Sequence, residues 1–289
     1  MNRFLITLMA GFSLALPWYP PRASQDTGGI VSLQKEFVAR LTGRADIFPG
    51  QRLADRASVP NRAQTRDYLC ALLDSLGLEP QQHGYREGGE NVFAVLPATV
   101  KSDEYIVLGA HFDSVPGAPG ANDNATGCAV IVGAAVSVIG LEHRSKNLLF
   151  VFFDEEERGL QGSRAFAARL REEGKNIVAV HTIDQMGWDA DGDRAVELEL
   201  PSEGAVALYE AAREAAGLSI QIHVTTEPGS DHSAFRRLGM PAVGLTEEYR
   251  NGDTTPYMHR AGDTWETVDF DFLYSSTRLV TEAMIFLLR

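Results

Sequence analysis

A chain of 289 residues with 44% hydrophobic composition is long enough to bury one large core, and nothing in its composition points to disorder. Its formal charge of −13 repels phosphate, which argues against nucleic acid as a partner. No repeat of roughly 20 to 50 residues is visible, so a solenoid or propeller is excluded as well.

Residues 1–24 read as an export signal. Arg3 supplies a positive start, and residues 4–16 form an apolar stretch too short and too early for a spanning helix. Pro17, Pro20 and Pro21 break it, which sets the expected cleavage before Gln25; an uncleaved anchor is the alternative. Cleavage removes Arg3 and Arg22 and no acid, taking the formal charge from −13 to −15. The expected product is exported, periplasmic or secreted, with no stable membrane insertion once the signal is gone. Cys70 and Cys128 lie in separate apolar helical patterns without CxxC spacing, which leaves both a disulfide and two buried thiols open.

Apolar periodicity predicts helices over 33–41 and 62–76, the second with Tyr68, Leu69, Leu72, Leu73 and Leu76 on one face and Gly77 as its stop. Residues 91–96, closed by Pro97, suit an antiparallel strand. From there, strands at 105–110, 148–153, 177–183, 220–224 and 241–245 alternate with helices at 122–139, 163–173, 205–216, 233–238 and 268–288. That alternation predicts an α/β fold, a mixed and mostly parallel sheet between two helical layers, in one domain.

Sites in such sheets form beyond the carboxyl ends of the strands. His111 follows the strand over 105–110, Asp184 follows 177–183, and 148–153 runs into Asp154, Glu155, Glu156 and Glu157. These acids either complement the N-terminus of the next helix, with Ser163 as its cap, or hold a cation. The second reading arises because adjacent carboxylates at the mouth of a buried strand repel one another and lose hydration. Asp113, two residues after His111, is close enough to take the second ring N–H of that imidazole. Asp123 sits in a Gly-flanked turn at the start of a helix, where an ordinary N-cap is the plain alternative. His259 lies in a segment without helix or strand periodicity, where binding outweighs packing; Asp263 and Thr264 either orient it or cap the next segment. Two histidines and three or more carboxylates without thiolate suit Zn²⁺, with Mn²⁺ or Co²⁺ as alternatives, and exceed the need of one tetrahedral ion.

The segments HFDS (111–114), GANDNATG (120–127), EERGLQGS (156–163), IDQMG (183–187), GSDHSAF (229–235) and PYMHRAGDT (256–264) are similar, in content and order, to the clan MH zinc exopeptidases. Among these the chain resembles the dinuclear zinc aminopeptidases that act on unblocked peptide N-termini, over most of its length from Asn91 onward. The resemblance implies a zinc exopeptidase catalytic domain over 25–289 and two zinc ions. It places His111 and Asp184 on one ion, Glu157 and His259 on the other, and Asp123 between them, with Glu156 as general base. The pairs Gly159-Leu160 and Gly162-Ser163 anchor that register among the acids. A cis peptide from Asp123 to Asn124 is implied as well.

The chain departs from the family at His259-Arg260-Ala261, where His-Thr-Pro or His-Ser is frequent, and this bears on substrate contacts. His232 is expected to donate to the developing oxyanion without binding metal, and Asp231 is as well read as a helix cap. The pocket wall is expected from loops near Met186, Tyr249 and Tyr257. The implied reaction is hydrolysis of the first peptide bond of a peptide with a free α-amine. Carboxypeptidase or dipeptidase action on the same fold, glutaminyl cyclisation at one zinc, and a non-catalytic interaction domain are the alternatives. Met258 before His259 and the uninterrupted GLQGS favour hydrolysis, and a complete set of ligands argues against a scaffold.

Overall fold

Strand β4 (Asn147–Phe153) is buried at all seven positions. Leu148, Phe150 and Phe152 join one apolar cluster and Leu149, Val151 and Phe153 another, so the strand must lie between two helical layers. Each such side chain contributes roughly 1.5–3 kcal/mol on leaving water. The structure, a computed structural model, describes residues 27–250 and 252–289; the expected leader, 1–24, lies outside the described residues.

The other strands are β1 (Pro80–Arg86), β2 (Gly89–Leu96), β3 (Glu104–His111), β5 (Asn176–Asp184), β6 (Val196–Glu199), β7 (Ile222–Thr225) and β8 (Ala242–Glu247). They form one sheet in the order β1-β2-β4-β3-β5-β8-β6-β7. Its centre is parallel, β4 with β3, β3 with β5 and β5 with β8, while β2 runs against β4 and β6 against β8. Helices α1 (Thr27–Leu41), α2 (Val59–Ser75), α3 (Gly127–Val138), α5 (Ala205–Ala215) and α7 (Phe270–Leu288) pack on one face. On the other lie α4 (Gln161–Glu172) and α6 (His232–Arg236). The α/β class, the mixed sheet and the two helical layers are as the sequence predicts.

Several local expectations need correction. Strand β1 is absent from the sequence reading because PQQHGYR is polar, as suits an edge strand that pairs only with β2. Strand β6 is hidden because two of its four buried residues, Glu197 and Glu199, are acids. Helix α1 begins at Thr27 in spite of Gly28 and Gly29, held in part by Gln34, whose amide donates to Thr277 Oγ1 at 2.7 Å. The helix expected from 122 starts only at Gly127; Asp123 and Asn124 are non-helical, their peptide bond is cis, and Asn124 Oδ1 accepts from the Gly127 N–H at 2.9 Å. Ser163 is not the cap of α4: it lies inside the helix, and its hydroxyl donates to Leu160 O at 3.4 Å. Both cysteines are free, and Cys128 Sγ donates to His111 O. No helix among the described residues is long and apolar enough to cross a membrane.

Candidate metal centre

The acid run after β4 divides into two halves with different environments. Asp154 and Glu155 turn toward α2 and β1. Arg62 Nε lies 2.7 Å from Asp154 Oδ1 and its Nη2 2.8 Å from Glu155 Oε1, with all three side chains 1% exposed or less. Arg86 adds two contacts of 2.6 Å to Glu155, and the Tyr85 hydroxyl donates to it at 3.0 Å. This network holds Glu155 at φ +60°, a left-handed backbone that glutamate rarely adopts, and Gly159 at φ +92° completes the turn. Asn91 stitches the same turn, accepting from the Asp154 N–H and donating to Gly162 O, both at 2.9 Å. Glu156 and Glu157 are thereby swung the other way, over the carboxyl ends of β3 and β5.

There they meet the remaining candidates. His111 Nε2 is 3.3 Å from Asp123 Oδ1 and 3.4 Å from Asp184 Oδ1. His259 Nε2 is 3.1 Å from Asp123 Oδ2 and 3.0 Å from Glu157 Oε2. Each Asp123 oxygen thus faces a different histidine, and the donors fall into two groups that share this one residue, His111/Asp123/Asp184 and Asp123/Glu157/His259. Two donors bound about 2.0–2.1 Å from a single tetrahedral ion sit about 3.3 Å apart, which matches these spacings.

The chemistry of the donors fits a cation too. His111 Nδ1 faces Asp113, at 3.3 Å from its carbonyl and 3.4 Å from Oδ1, so it carries the ring proton. Nε2 then presents a lone pair to two carboxylate oxygens, an arrangement that is repulsive unless a positive charge lies between them. His111 Nε2, Asp184 Oδ1 and Glu157 Oε1 are buried without a hydrogen-bond partner, as metal donors would be. The same carboxylates favour positive charge on the rings. Hydrogen bonds to Asp123 and Glu157 push His259 up to about 10, and although burial lowers His111, Asp184 and Glu156 carry it well above its ordinary value.

Supporting contacts fix this geometry from behind. Asp113 also accepts from the backbone N–H of Glu156 at 3.0 Å and of Glu157 at 3.3 Å, tying the His111 loop to the acid turn. Asp263 does not orient His259. Its carboxylate accepts from the N–H of Asn122 at 2.7 Å and of Asp123 at 3.0 Å, setting the backbone of the residue common to both donor groups. Ser230 Oγ donates to Asp184 Oδ2 at 2.8 Å. Glu247, fully buried on β8, accepts from Asn122 Nδ2, Gly187 N and Trp188 N and joins the loops after β5 and before α3. Replacing Asp263 with Asn is expected to weaken zinc binding by about 10–100-fold in a chelator competition, because the turn that aims Asp123 loses two charge-assisted bonds.

Glu156 belongs to neither donor group, yet it lines the same cleft as Asp123, Glu157, Asp184 and His259. Burial pushes its carboxyl well above the ordinary range, and Asp231, Asp184 and Glu157 add to this while His111 opposes it. His232 is not on the cleft wall. It is fully buried beneath it, with Nε2 at 3.1 Å from Glu227 O and Nδ1 at 3.7 Å from Glu199, and burial pushes its pKa down to about 4. That placement gives it no face toward a developing oxyanion. Asp231 precedes α6 without capping it through its side chain. The three loops expected to form the wall do line the cleft, through Gln185, Tyr249 and Met258, while Met186 itself is core and Tyr257 packs edge-on against Trp188. The sequence reading missed Glu199, which does line it, and the three arginines behind the acid turn, although Arg62 and Arg66 extend the apolar stripe of Leu69 and Leu73 and so announce buried charge in need of acids.

An αβα sandwich that gathers these donors at the carboxyl ends of its parallel strands defines a zinc exopeptidase of clan MH. More narrowly, the chain belongs to peptidase family M28, whose model matches residues 91–284, and it is a metallo-aminopeptidase. It is 28% identical over 275 residues to a probable leucine aminopeptidase of Trichophyton verrucosum, covering 86% of this chain and 72% of that one. Among solved structures it is similar to LapA of Legionella, with a TM-score of 0.79 at 19% identity over 89% of this chain and 73% of that one. It is also similar to a zinc aminopeptidase from Bacillus subtilis, with a TM-score of 0.65 at 24% identity over 69% and 50% of the two chains. The glutaminyl cyclase of Porphyromonas gingivalis shares the fold, with a TM-score of 0.72 at 20% identity over 89% and 98%.

Proposed function

We propose that the protein is a dinuclear zinc aminopeptidase that hydrolyses the N-terminal peptide bond of peptides with a free α-amine. The observation that carries this reading is Asp123, whose two oxygens each lie against a different histidine. His111 and Asp184 would hold one ion and Glu157 and His259 the other, with Asp123 common to both. Zinc bound there would polarise the scissile carbonyl and acidify water, the chemistry this ion supplies in hydrolases. Glu156 takes the proton of the attacking water and passes it to the leaving amine. Its place on the cleft wall outside both donor groups supports that role, and Asp113 fixes its backbone. Export is part of the same proposal and rests on the pattern of residues 1–24.

A panel of aminoacyl p-nitroanilides and their N-acetylated forms tests the reading. Activity is expected on the free amines alone, lost with a chelator and restored by zinc. Turnover of acetylated substrates at equal rate would exclude an aminopeptidase, and ring closure of Gln-initiated peptides without anilide hydrolysis would favour the cyclase alternative.

A further inference from the structure

The cleft beyond Asp184 carries an acid that the proposed hydrolysis does not use. Glu199 ends β6 opposite Gly244 of β8, which is itself opposite Thr182 of β5. Two strand spacings, about 10 Å, therefore separate it from the strand that ends in Asp184. Its side chain is 9% exposed and lines the same cleft as Asp184 and Glu156. Carboxyl groups so buried ordinarily face a cation or N–H donors.

Among the described residues Glu199 has no N–H donor and no Arg or Lys in ion-pair contact, and Arg250 acts on it only from farther off. The basic atom within reach is His232 Nδ1 at 3.7 Å. That nitrogen is no donor, because Nε2 of the same ring gives its proton to Glu227 O, and Nδ1 is itself buried without a partner. The neighbouring charges are already matched: Glu227 pairs with Arg250, and Arg250 also donates its backbone N–H to Glu197 at 2.6 Å. Gly244 keeps the space open. A Cβ there would lie 2.7 Å from Glu199 Oε2 and 2.6 Å from His232 Nδ1.

We propose that Glu199 makes this aminopeptidase selective for peptides whose N-terminal side chain is cationic, lysine or arginine. The inference rests on the aminopeptidase reading above and adds the residue that chooses the substrate. A long basic side chain leaving the reacting carbonyl runs along the cleft and brings its charge to an acid there that has no ion pair with Arg or Lys and no part in the donor groups or the proposed proton transfer. A leucine side chain would stop short and bury that carboxyl unpaired. The electrostatics agree: burial beside Asp184, Glu197 and Glu227 pushes Glu199 up to about 8 against the opposing pull of Arg250, so a further cation arriving in contact favours its ionised form.

The test is kcat/KM of the zinc-loaded protein on lysyl, arginyl and leucyl p-nitroanilides, for wild type and Glu199→Gln. Wild type is expected to prefer the basic substrates over leucyl by about 10-fold or more, and the lysyl-to-leucyl ratio is expected to fall by about 10–100-fold in the variant. A wild-type preference for leucine overturns the proposal, as does an unchanged ratio in Glu199→Gln. The wild-type ratio decides by itself should the variant fail to fold. If zinc-loaded wild type turned over none of the anilides, the aminopeptidase reading would fall, and the selectivity with it.

Discussion

Glu156→Gln is expected to lower kcat by about 10²–10⁴-fold while zinc content stays at the wild-type level, because it removes a proton acceptor and leaves the proposed ligands in place. The amide keeps the shape of the side chain and the Asp113 contact to the backbone N–H at 3.0 Å, so the turn retains its form. What is lost is the carboxylate in the cleft beside both donor groups. Glu157→Gln should behave differently. Glu157 lies 3.0 Å from His259 Nε2 within a donor group, so its replacement is expected to lower zinc content together with rate. Parallel measurement of kcat and metal content in the two variants separates base from ligand. Near wild-type kcat in zinc-replete Glu156→Gln would show that another group moves the proton.

Arg62→Met is expected to destabilise the fold by about 3 kcal/mol, toward the lower end of the roughly 3–5 kcal/mol for breaking a buried pair. Asp154 and Glu155 both lean on this guanidinium and both are 1% exposed or less. Burial pushes Asp154 up to about 7 even with Arg62 in place, so its ionised form depends on that neighbour. Arg66 at 3.5 Å from Asp154 and Arg86 at 2.6 Å from Glu155 keep part of the charge matched, which is why the upper end is not expected. At about 2–4 °C per kcal/mol for a domain of this size, thermal unfolding should fall by roughly 6–12 °C. Zinc affinity should fall with it, since the same network holds the turn that carries Glu157. Arg44→Ala is the control: its pair with Glu266 is about half exposed on both sides and is worth at most about 1 kcal/mol. Equal losses in the two variants would mean that the buried network does not hold the turn.

The acid run shows how far sequence reasoning reaches and where it stops. Four consecutive carboxylates after a buried strand signal a cation, but their division depends on residues distant in the chain. Arg62 and Arg86 claim Glu155, and Asp113 fixes the backbone of the next two, so the register 156–157, which the glycines at 159 and 162 anchor in the sequence, is held by tertiary contacts that the local pattern does not display. The central strands were legible because burial on both faces demands unbroken apolar runs such as Leu148 to Phe153. Strands β1 and β6 were not, one being a polar edge and the other carrying two buried acids, of which Glu199 reaches the cleft. His232 differs for a related reason: the expected oxyanion role needs it to face the cleft, whereas α6 turns it inward against Gly244. Asp263 was legible as an orienting acid but not in its target, since the contact to Asp123 spans 140 positions.

The central claim is that five side chains between positions 111 and 259 hold two ions around one shared aspartate. Anomalous difference density at the zinc edge, from crystals of the zinc-loaded protein, tests it most directly. Two peaks are expected, one among His111, Asp123 and Asp184 and one among Asp123, Glu157 and His259, with Glu156 bound to neither. A single peak, or Glu156 as a ligand, would contradict the account.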